Sequence, residues 1–252
     1  MSQGPRSSAA AADPRRIALW AVPRSISTAF ERVFVERPDA AILHEPFSHA
    51  YYHGPDRLSD RFGDVAPRPE HAYEAVAAEV IAPCEAPILF MKDMAYQARP
   101  IEDPAFYAGF INTFLIREPA EALLSLHRMW PDFTLQEAGF LEQAALFDLV
   151  TETLEQPAVV VDATDFRSAP EEVMAAYCDA VEIPHREDAL SWQPGPVDLW
   201  QGWSDWHRGA EQSAGIAPPA PAPAPALPPR VAAMVDVCQP HYERLHSARL
   251  RP

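Results

Sequence analysis

Lysine is nearly absent from this sequence: of its 20 basic residues one, Lys92, is a lysine and the others are arginines. An arginine guanidinium is a planar fork that keeps its proton, whereas a lysine ammonium is a compact charge on a flexible stem. Lys92 follows the apolar run 88–91, which predicts a buried strand. A lone ammonium at the end of such a strand is a candidate for contact with an anion or a leaving group. The simpler alternative is a coding preference for arginine, with one lysine whose stem lies along the core.

Basic residues are also scarce as a class. The chain has 36 acidic residues against 20 basic ones, which gives a net charge of −16. This balance argues against a surface that binds nucleic acid or an anionic membrane. An anionic ligand would need a local basic pocket that works against the overall field.

Cysteines and long apolar runs are few. Cys84, Cys178 and Cys238 are far apart and match no metal or redox spacing, so we expect free thiols in a reducing compartment. No apolar run approaches the length of a membrane span, and residues 1–16 lack the core of a signal peptide. We therefore expect a cytoplasmic protein that does not bind a membrane.

Composition divides the 252 residues into four parts. Residues 1–13 are rich in serine and alanine and are predicted to be a disordered tail. Residues 14–216 fit one α/β domain. Residues 217–229 form a proline- and alanine-rich linker with a polyproline II preference, and residues 230–252 are predicted to form a last helix that packs on the domain.

Hydrophobic patterning predicts a three-layer α/β fold. Apolar runs predict strands at 17–22, 40–43, 88–91, 110–116 and 159–161, and helical spacing predicts helices at 28–36, 73–81, 119–129, 135–154 and 170–181. Such alternation is typical of a central, mainly parallel sheet flanked by helices. Ligands of these sheets bind beyond the carboxyl ends of the strands.

A polar segment joins the first strand to the first helix. It follows Pro23 and contains Arg24, Ser25, Ser27 and Thr28. A helix start presents free backbone N–H groups and the positive end of its dipole, which suits an oxyanion such as phosphate. An ordinary helix cap would need only one of these hydroxyls. The segment has no glycine and no lysine before its hydroxyl residue, so it is not a Walker A loop.

A second anion site is predicted at the end of another strand. Arg117 ends the run 110–116, and Ser125 follows about two turns into the next helix. The guanidinium can bind a phosphate through two parallel hydrogen bonds, and the serine can add a hydroxyl. Alone, each residue has a simpler explanation, a salt bridge for Arg117 and a surface position for Ser125.

Together, the two segments resemble those of sulfotransferases that use 3′-phosphoadenosine 5′-phosphosulfate (PAPS). The resemblance covers about 16–215, and Glu118 replaces the commoner aspartate. It implies a P-loop-like nucleotide-binding fold in which PAPS is the co-substrate and no metal is needed. Four residues would hold the 5′-phosphosulfate: Arg24, Ser25, Ser27 and Thr28. Arg117 and Ser125 would hold the 3′-phosphate.

The resemblance also implies catalytic roles. Glu45 matches a general base at the end of the second strand, although the adjacent His44 stays an alternative because other members use a histidine. An acceptor hydroxyl must lose its proton, and a carboxylate in a closed cleft could have its pKa raised toward the working range. Because successive strand side chains point to opposite faces, we expect that His44 and Glu45 do not both face the cleft. Lys92 would stabilise the leaving phosphate, with Asp93 as its partner or as a helix cap.

We expect no metal. His44, His49 and His53 are candidate ligands, and the last two have helical ligand spacing, but no cysteine or clear third ligand joins them. Tryptophans at 192, 200, 203 and 206 indicate either core packing or an aromatic wall for the acceptor.

The predicted function is therefore sulfuryl transfer from PAPS to a hydroxyl of a small-molecule acceptor. A metal-dependent phosphotransferase and a non-catalytic or repurposed nucleotide-binding protein are the alternatives. The acceptor and the oligomeric state stay open, and a homo-oligomer is one option.

Overall fold

A computed structural model describes residues 13–63, 66–201, 204–219 and 226–251. The predicted tail over 1–13, apart from its last residue, lies outside the described residues, as do 220–225 of the predicted linker and Trp203.

The described residues form a five-stranded sheet in which every neighbouring pair is parallel, with the order β2-β3-β1-β4-β5. The strands are β1 (Arg15–Ala21), β2 (Ala40–His44), β3 (Ile88–Met94), β4 (Ile111–Ile116) and β5 (Val159–Asp162). The strands β3 and β4 flank β1 on opposite sides, so the carboxyl end of β1 lies at the centre of the sheet edge where ligands bind.

Helices connect these strands, and shorter helices occur between those that the pattern predicts. They are α1 (Ser27–Val35), α2 (Pro46–His53), α3 (Tyr73–Val80), α4 (Ala95–Ala98), α5 (Pro104–Ala108), α6 (Pro119–Met129), α7 (Leu135–Ala138), α8 (Phe140–Asp148), α9 (Ala163–Ser168), α10 (Pro170–Ala180), α11 (Ser204–Glu211) and α12 (Pro229–Ser247). Most observed ends differ from the predicted ones by one or two residues. Within the described residues, no helix combines the length and the hydropathy that crossing a membrane would need.

Alternate strand residues enter two apolar clusters, one on each face of the sheet. On one face Trp20 and Met91 pack with residues of α6, α8 and α12. On the other face Leu19 and Phe90 pack with α1 and α10, and the ring of Phe34 is stacked on that of Phe90 with centroids 3.7 Å apart. This arrangement confirms the predicted three-layer α/β fold.

The predicted helix over 135–154 is wrong as one continuous element. Thr134 and Glu137 form a capping box at the start of α7, and Gly139, at φ 79°, ends α7 before α8 begins. A π-helical turn, Leu149–Thr153, follows α8. Left-handed backbone favours glycine, which has no Cβ to clash. The apolar spacing continues across the break and so does not reveal it.

The third strand also differs from its prediction, because it extends beyond 91 to Met94. Lys92 therefore lies inside β3, where its Cα is in register with Leu19 of β1 and His44 of β2. By strand alternation its side chain shares the α1 face of the sheet with Phe90.

The last helix is fixed to the edge strand by a buried hydrogen bond. Tyr242 of α12 donates its hydroxyl to the Asp162 carboxylate at 3.0 Å, and Asp162 also caps α9 by accepting from the N–H of Thr164 at 2.8 Å. Beyond α12, the N–H of Leu250 donates to the Val160 carbonyl of β5 at 2.8 Å.

Tyr242→Phe should therefore lower the free energy of unfolding by about 1–3 kcal/mol, because it removes a hydrogen bond to a charged group. Val237→Ala changes an exposed position of the same helix and should stay within about 0.5 kcal/mol of the wild type. Urea unfolding measures both. Equal midpoints for Tyr242→Phe and the wild type would show that this bond does not hold α12.

Candidate functional site

A cavity of about 370 Å³ opens at the carboxyl edge of the sheet. One wall is polar and contains Arg24, Ser27, Thr28, Arg117 and Arg167. Another part of the lining is largely apolar and contains Tyr52, Met94, Tyr96 and Trp130. Glu45 and His207 also line the cavity. The cavity therefore brings a cationic surface and an aromatic surface to the same strand ends.

The segment after β1 has a strained backbone. Arg24 and Ile26 have φ values of 65° and 64°, in the left-handed region that side chains rarely adopt. Ser25 is buried and donates its hydroxyl to the Val22 carbonyl at 2.7 Å, which holds the turn. Alternating left- and right-handed residues make a concave group of N–H donors for an anion, and such strain is concentrated at functional sites. Ser25 therefore shapes this loop, and Ser27 and Thr28 line the cavity.

Guanidinium groups converge beside this loop. Arg24 donates from Nε to the Ser125 hydroxyl at 3.0 Å, and Arg117 donates from Nη1 to the Arg24 carbonyl at 2.7 Å. Burial, followed by the charge of Arg117, lowers the pKa of Arg24. The same two causes lower the pKa of Arg167. Arg24, Arg117 and Arg167 thus lie close enough to repel one another, and together they form a local basic pocket in an acidic chain.

Sequence reasoning identified most of this wall but missed Arg167. The predicted residues Arg24 and Arg117 lie together, and Ser125 reaches them through Arg24. Arg167 lies on α9, directly after β5, and it donates to the carbonyls of Ala217 and Pro218. The rule that ligands bind at the carboxyl ends of strands could have indicated it.

Lys92 and Glu45 form a buried ion pair at the carboxyl ends of β3 and β2. The side chain of Lys92 is fully buried, and that of Glu45 is 13% exposed. The backbone positions the pair as well, because the N–H of Glu45 donates to the Lys92 carbonyl at 2.7 Å. Burial alone would lower the pKa of Lys92, but the charges of Glu45 and Glu31 outweigh it and raise this pKa.

The expectation that burial raises the pKa of Glu45 is wrong in this state. Burial does act to raise it, but the charge of Lys92, with smaller contributions from His44 and His207, lowers the pKa to about 2. Of the two roles left open for Asp93, partner of Lys92 or helix cap, the structure shows the second. The Asp93 carboxylate accepts from the N–H groups of Phe47 and Met94 at 2.8 and 2.7 Å, so it is a helix cap.

Glu45 lines the cavity and His44 is not among its lining residues, which agrees with the prediction that the two do not both face the cleft, although their side chains lie near each other. Strand alternation ends at His44, and Glu45 has φ 43°, so its side chain turns back toward the same edge. Ligand atoms of His44, Glu45 and His207 all lie within 4.8 Å of one another.

His207 was missed by sequence reasoning, because no local pattern marks it. It lies on α11 and shares a 3.0 Å hydrogen bond with the Thr28 hydroxyl. Burial, followed by the charge of Lys92, lowers its pKa to about 3. Among the neighbouring tryptophans, Trp192 and Trp200 pack in the core, and Trp206 lines the cavity.

A family model described as a sulfotransferase domain matches residues 15–248 of this chain. Among solved structures, a sulfotransferase from Alicyclobacillus acidocaldarius has a TM-score of 0.53 and 12% identity, with coverage of 94% of this chain and 95% of its own. The sulfotransferase domain of the Synechococcus PCC 7002 olefin synthase has a TM-score of 0.50 and 16% identity, with coverage of 89% and 94%. At such identities these two structures show the fold.

Two curated proteins from Arabidopsis thaliana are also similar. Branched-chain-amino-acid aminotransferase-like protein 2 is 27% identical over 207 residues, which are 79% of this chain and 36% of that protein. Protein 1 of the same name is 27% identical over 215 residues, which are 82% of this chain and 38% of that protein. The chain thus spans little more than a third of the length of these relatives.

The low pKa of Glu45 makes stability depend on pH. The folded pKa of about 2 lies below the ordinary 4.5, so the pair stabilises the fold fully above pH 4.5 and loses this contribution as the pH falls toward 2. The loss is on the order of 3 kcal/mol. The wild type should therefore be more stable than Glu45→Gln at pH 6, and the difference should shrink between pH 4.5 and 2.

Urea unfolding over this pH range measures the effect. Glu79→Gln, at an exposed carboxylate, should give a profile parallel to that of the wild type. A constant difference between the wild type and Glu45→Gln would contradict the ion pair.

Proposed function

This chain belongs to the sulfotransferase domain family, and we propose that it transfers a sulfuryl group from PAPS to a hydroxyl of a small-molecule acceptor. The observation that carries this proposal is the buried Lys92–Glu45 pair, whose carboxylate lines the same cavity as a set of guanidinium groups and a set of aromatic rings. The guanidinium groups fit a polyanionic nucleotide, the aromatic rings fit an acceptor, and the carboxylate lines the cavity that the two would share.

The polar wall fits the two anionic ends of PAPS, which supplies the sulfuryl group when it is bound. The strained loop offers N–H groups, and Ser27 and Thr28 add hydroxyls, for the 5′-phosphosulfate. Arg117 and Ser125 are the proposed partners of the 3′-phosphate, and Arg167 adds a further cation beside them. Binding would require Arg24 to exchange its bond to Ser125 for contact with the nucleotide.

Glu45 is the proposed general base, and its ion pair suggests how it is activated. While Lys92 is paired with it, Glu45 is a weak base with a pKa of about 2. Negative charge that develops on the leaving phosphate would attract the Lys92 ammonium away from the carboxylate. Burial would then raise the pKa of Glu45, so that it can take the proton of the acceptor hydroxyl. In this proposal Lys92 stabilises the leaving group, and Glu45 becomes a stronger base at the same time.

The aromatic wall supports an acceptor with an apolar body. Tyr52 and Tyr96 are buried, and their hydroxyls share a hydrogen bond of 2.9 Å, so both rings are fixed in place. Trp130 packs edge-on against Trp206 with centroids 4.5 Å apart. Fixed rings favour a small acceptor whose hydroxyl is directed toward Glu45.

Calorimetric titration with the nucleotide product, 3′-phosphoadenosine 5′-phosphate, and with adenosine 5′-phosphate tests the donor site. The first should bind at least about tenfold more tightly, which is about 1.4 kcal/mol, because only it carries the 3′-phosphate. Arg117→Ala should remove most of this preference. Arg128→Ala, at an exposed cation of the same helix, should retain it. Equal binding of both nucleotides to the wild type would contradict the 3′-phosphate site.

Lys92→Arg tests the leaving-group role. The guanidinium keeps the charge but does not fit the space of a buried ammonium, so turnover should fall by about 100-fold or more, with a small loss of nucleotide binding. Release of the nucleotide product from PAPS, with a panel of alcohols and phenols as acceptors, measures turnover. Arg99→Lys is a conservative control at an exposed position. Unchanged turnover in Lys92→Arg would remove this role.

The same measurements separate the alternatives. A chain that binds the nucleotide product but never turns over PAPS would be a non-catalytic nucleotide-binding protein. Turnover of a phosphoryl donor that requires added magnesium would instead indicate a metal-dependent phosphotransferase.

A further inference from the structure

Two buried imidazoles beside the ion pair have a nitrogen that the proposed reaction does not use. The side chain of His44 is 6% exposed and His207 is 4% exposed. In each ring Nδ1 is hydrogen-bonded, whereas Nε2 is buried and has no hydrogen-bond partner among the described residues. A buried polar atom without a partner is costly, so such a pair indicates a ligand that the two nitrogens share.

The groups behind these rings fix their orientation. His44 donates from Nδ1 to the Glu31 carboxylate at 2.8 Å, and Glu31 is fully buried and accepts from the indole N–H of Trp200 at 2.8 Å. The Thr28 hydroxyl is bonded to Nδ1 of His207. Histidines that bind metal ions usually have their second nitrogen held in this way, most often by a carboxylate or carbonyl. The free nitrogen of each ring is therefore Nε2, the one available to a metal.

Glu45 adds an oxygen to these two nitrogens. The ligand atoms of the three residues lie within 4.8 Å of one another. Zinc lies about 2.0–2.2 Å from each of its ligand atoms, which places those atoms about 3.5 Å from one another. Side-chain movements of about 1 Å would bring the three ligand atoms to this separation. Two imidazoles and one carboxylate with a fourth position open toward a cavity form a common zinc ligand set.

Lys92 would compete with a metal ion at this site, because both are cations that bind the same carboxylates. The buried carboxylates of Glu31 and Glu45 lie beside one ammonium, that of Lys92. Lys92 already binds Glu45, so a dication must take the carboxylate from it. A metal ion and Lys92 are thus alternative partners of the same oxygens.

We propose that His44, Glu45 and His207 form a binding site for Zn²⁺ or a similar late first-row divalent ion, which competes with Lys92 for Glu45. This site shares His44 with the three histidines from which the absence of a metal was predicted, and it does not include His49 or His53. The metal site does not depend on sulfuryl transfer. If the chain catalyses that reaction, a metal ion bound to Glu45 would prevent this carboxylate from acting as the base.

Titration of the full chain with Zn²⁺ against a fluorescent chelator tests the proposal. One equivalent should bind, and His44→Gln and His207→Gln should each weaken binding by at least tenfold. His49→Ala, in the cluster with His53 and His71, should leave the affinity unchanged. Failure of the wild type to bind would overturn the proposal. So would a loss of affinity in His49→Ala with full affinity in His207→Gln, since the ion would then bind at the other cluster.

Lys92→Gln separates the proposed competition from a merely structural ion pair. The substitution removes the competing ammonium, so Zn²⁺ binding should become tighter by about tenfold or more. A merely structural pair predicts no such gain in affinity. Thermal unfolding of each variant establishes that it is folded. If Lys92→Gln fails to fold, the pH 6 to 8 dependence of Co²⁺ visible absorption in the wild type and His207→Gln replaces it. A tetrahedral band in the wild type that His207→Gln lacks would support the site. Unchanged or weaker Zn²⁺ binding in folded Lys92→Gln, or identical Co²⁺ spectra, would overturn it.

Discussion

The ion pair of Lys92 and Glu45 is the constraint on which the rest of the edge depends. A buried ammonium is tolerated only with a partner, and removal of one member of such a pair commonly costs about 3–5 kcal/mol. The pair joins β3 to the start of α2, and a backbone hydrogen bond between the same two residues fixes its geometry. Glu45 has a left-handed backbone, which is costly for a residue other than glycine, at the point where this pair forms.

In this acidic chain the basic pocket results from the order of the parallel strands. Arg24, Arg117 and Arg167 follow β1, β4 and β5, three neighbouring strands of a parallel sheet. Parallel strands place their carboxyl ends at one edge, so residues that are far apart in the sequence meet there. The cost is visible in the lowered pKa of Arg24, whose burial and whose neighbour Arg117 both disfavour its charge. Such repulsion is relieved when an anion binds, and this is why the wall suits a phosphorylated ligand.

Much of the fold could be predicted because local patterns carry it. The strands and most helices follow from apolar spacing, and Pro119 at a helix start marks α6. The exception is instructive: the spacing over 135–154 continues through Gly139, and only the left-handed backbone of that residue separates α7 from α8. A pattern of apolar residues reports which side of a helix is buried, and it does not report whether the axis is continuous.

The sequence by itself determined the layer architecture, the position of the polar loop after β1 and the presence of a single lysine after an apolar run, because periodicity, chain order and composition can be read without the fold. Only the tertiary structure decided that Glu45 is the partner of Lys92, that the pKa of Glu45 lies below its ordinary range, and that His44, Glu45 and His207 share one site. His207 and Arg167 reach the cavity from segments more than a hundred residues beyond the first loop. Electrostatic shifts depend on distances across such segments, and the Coulomb interaction falls with separation in space and not along the chain.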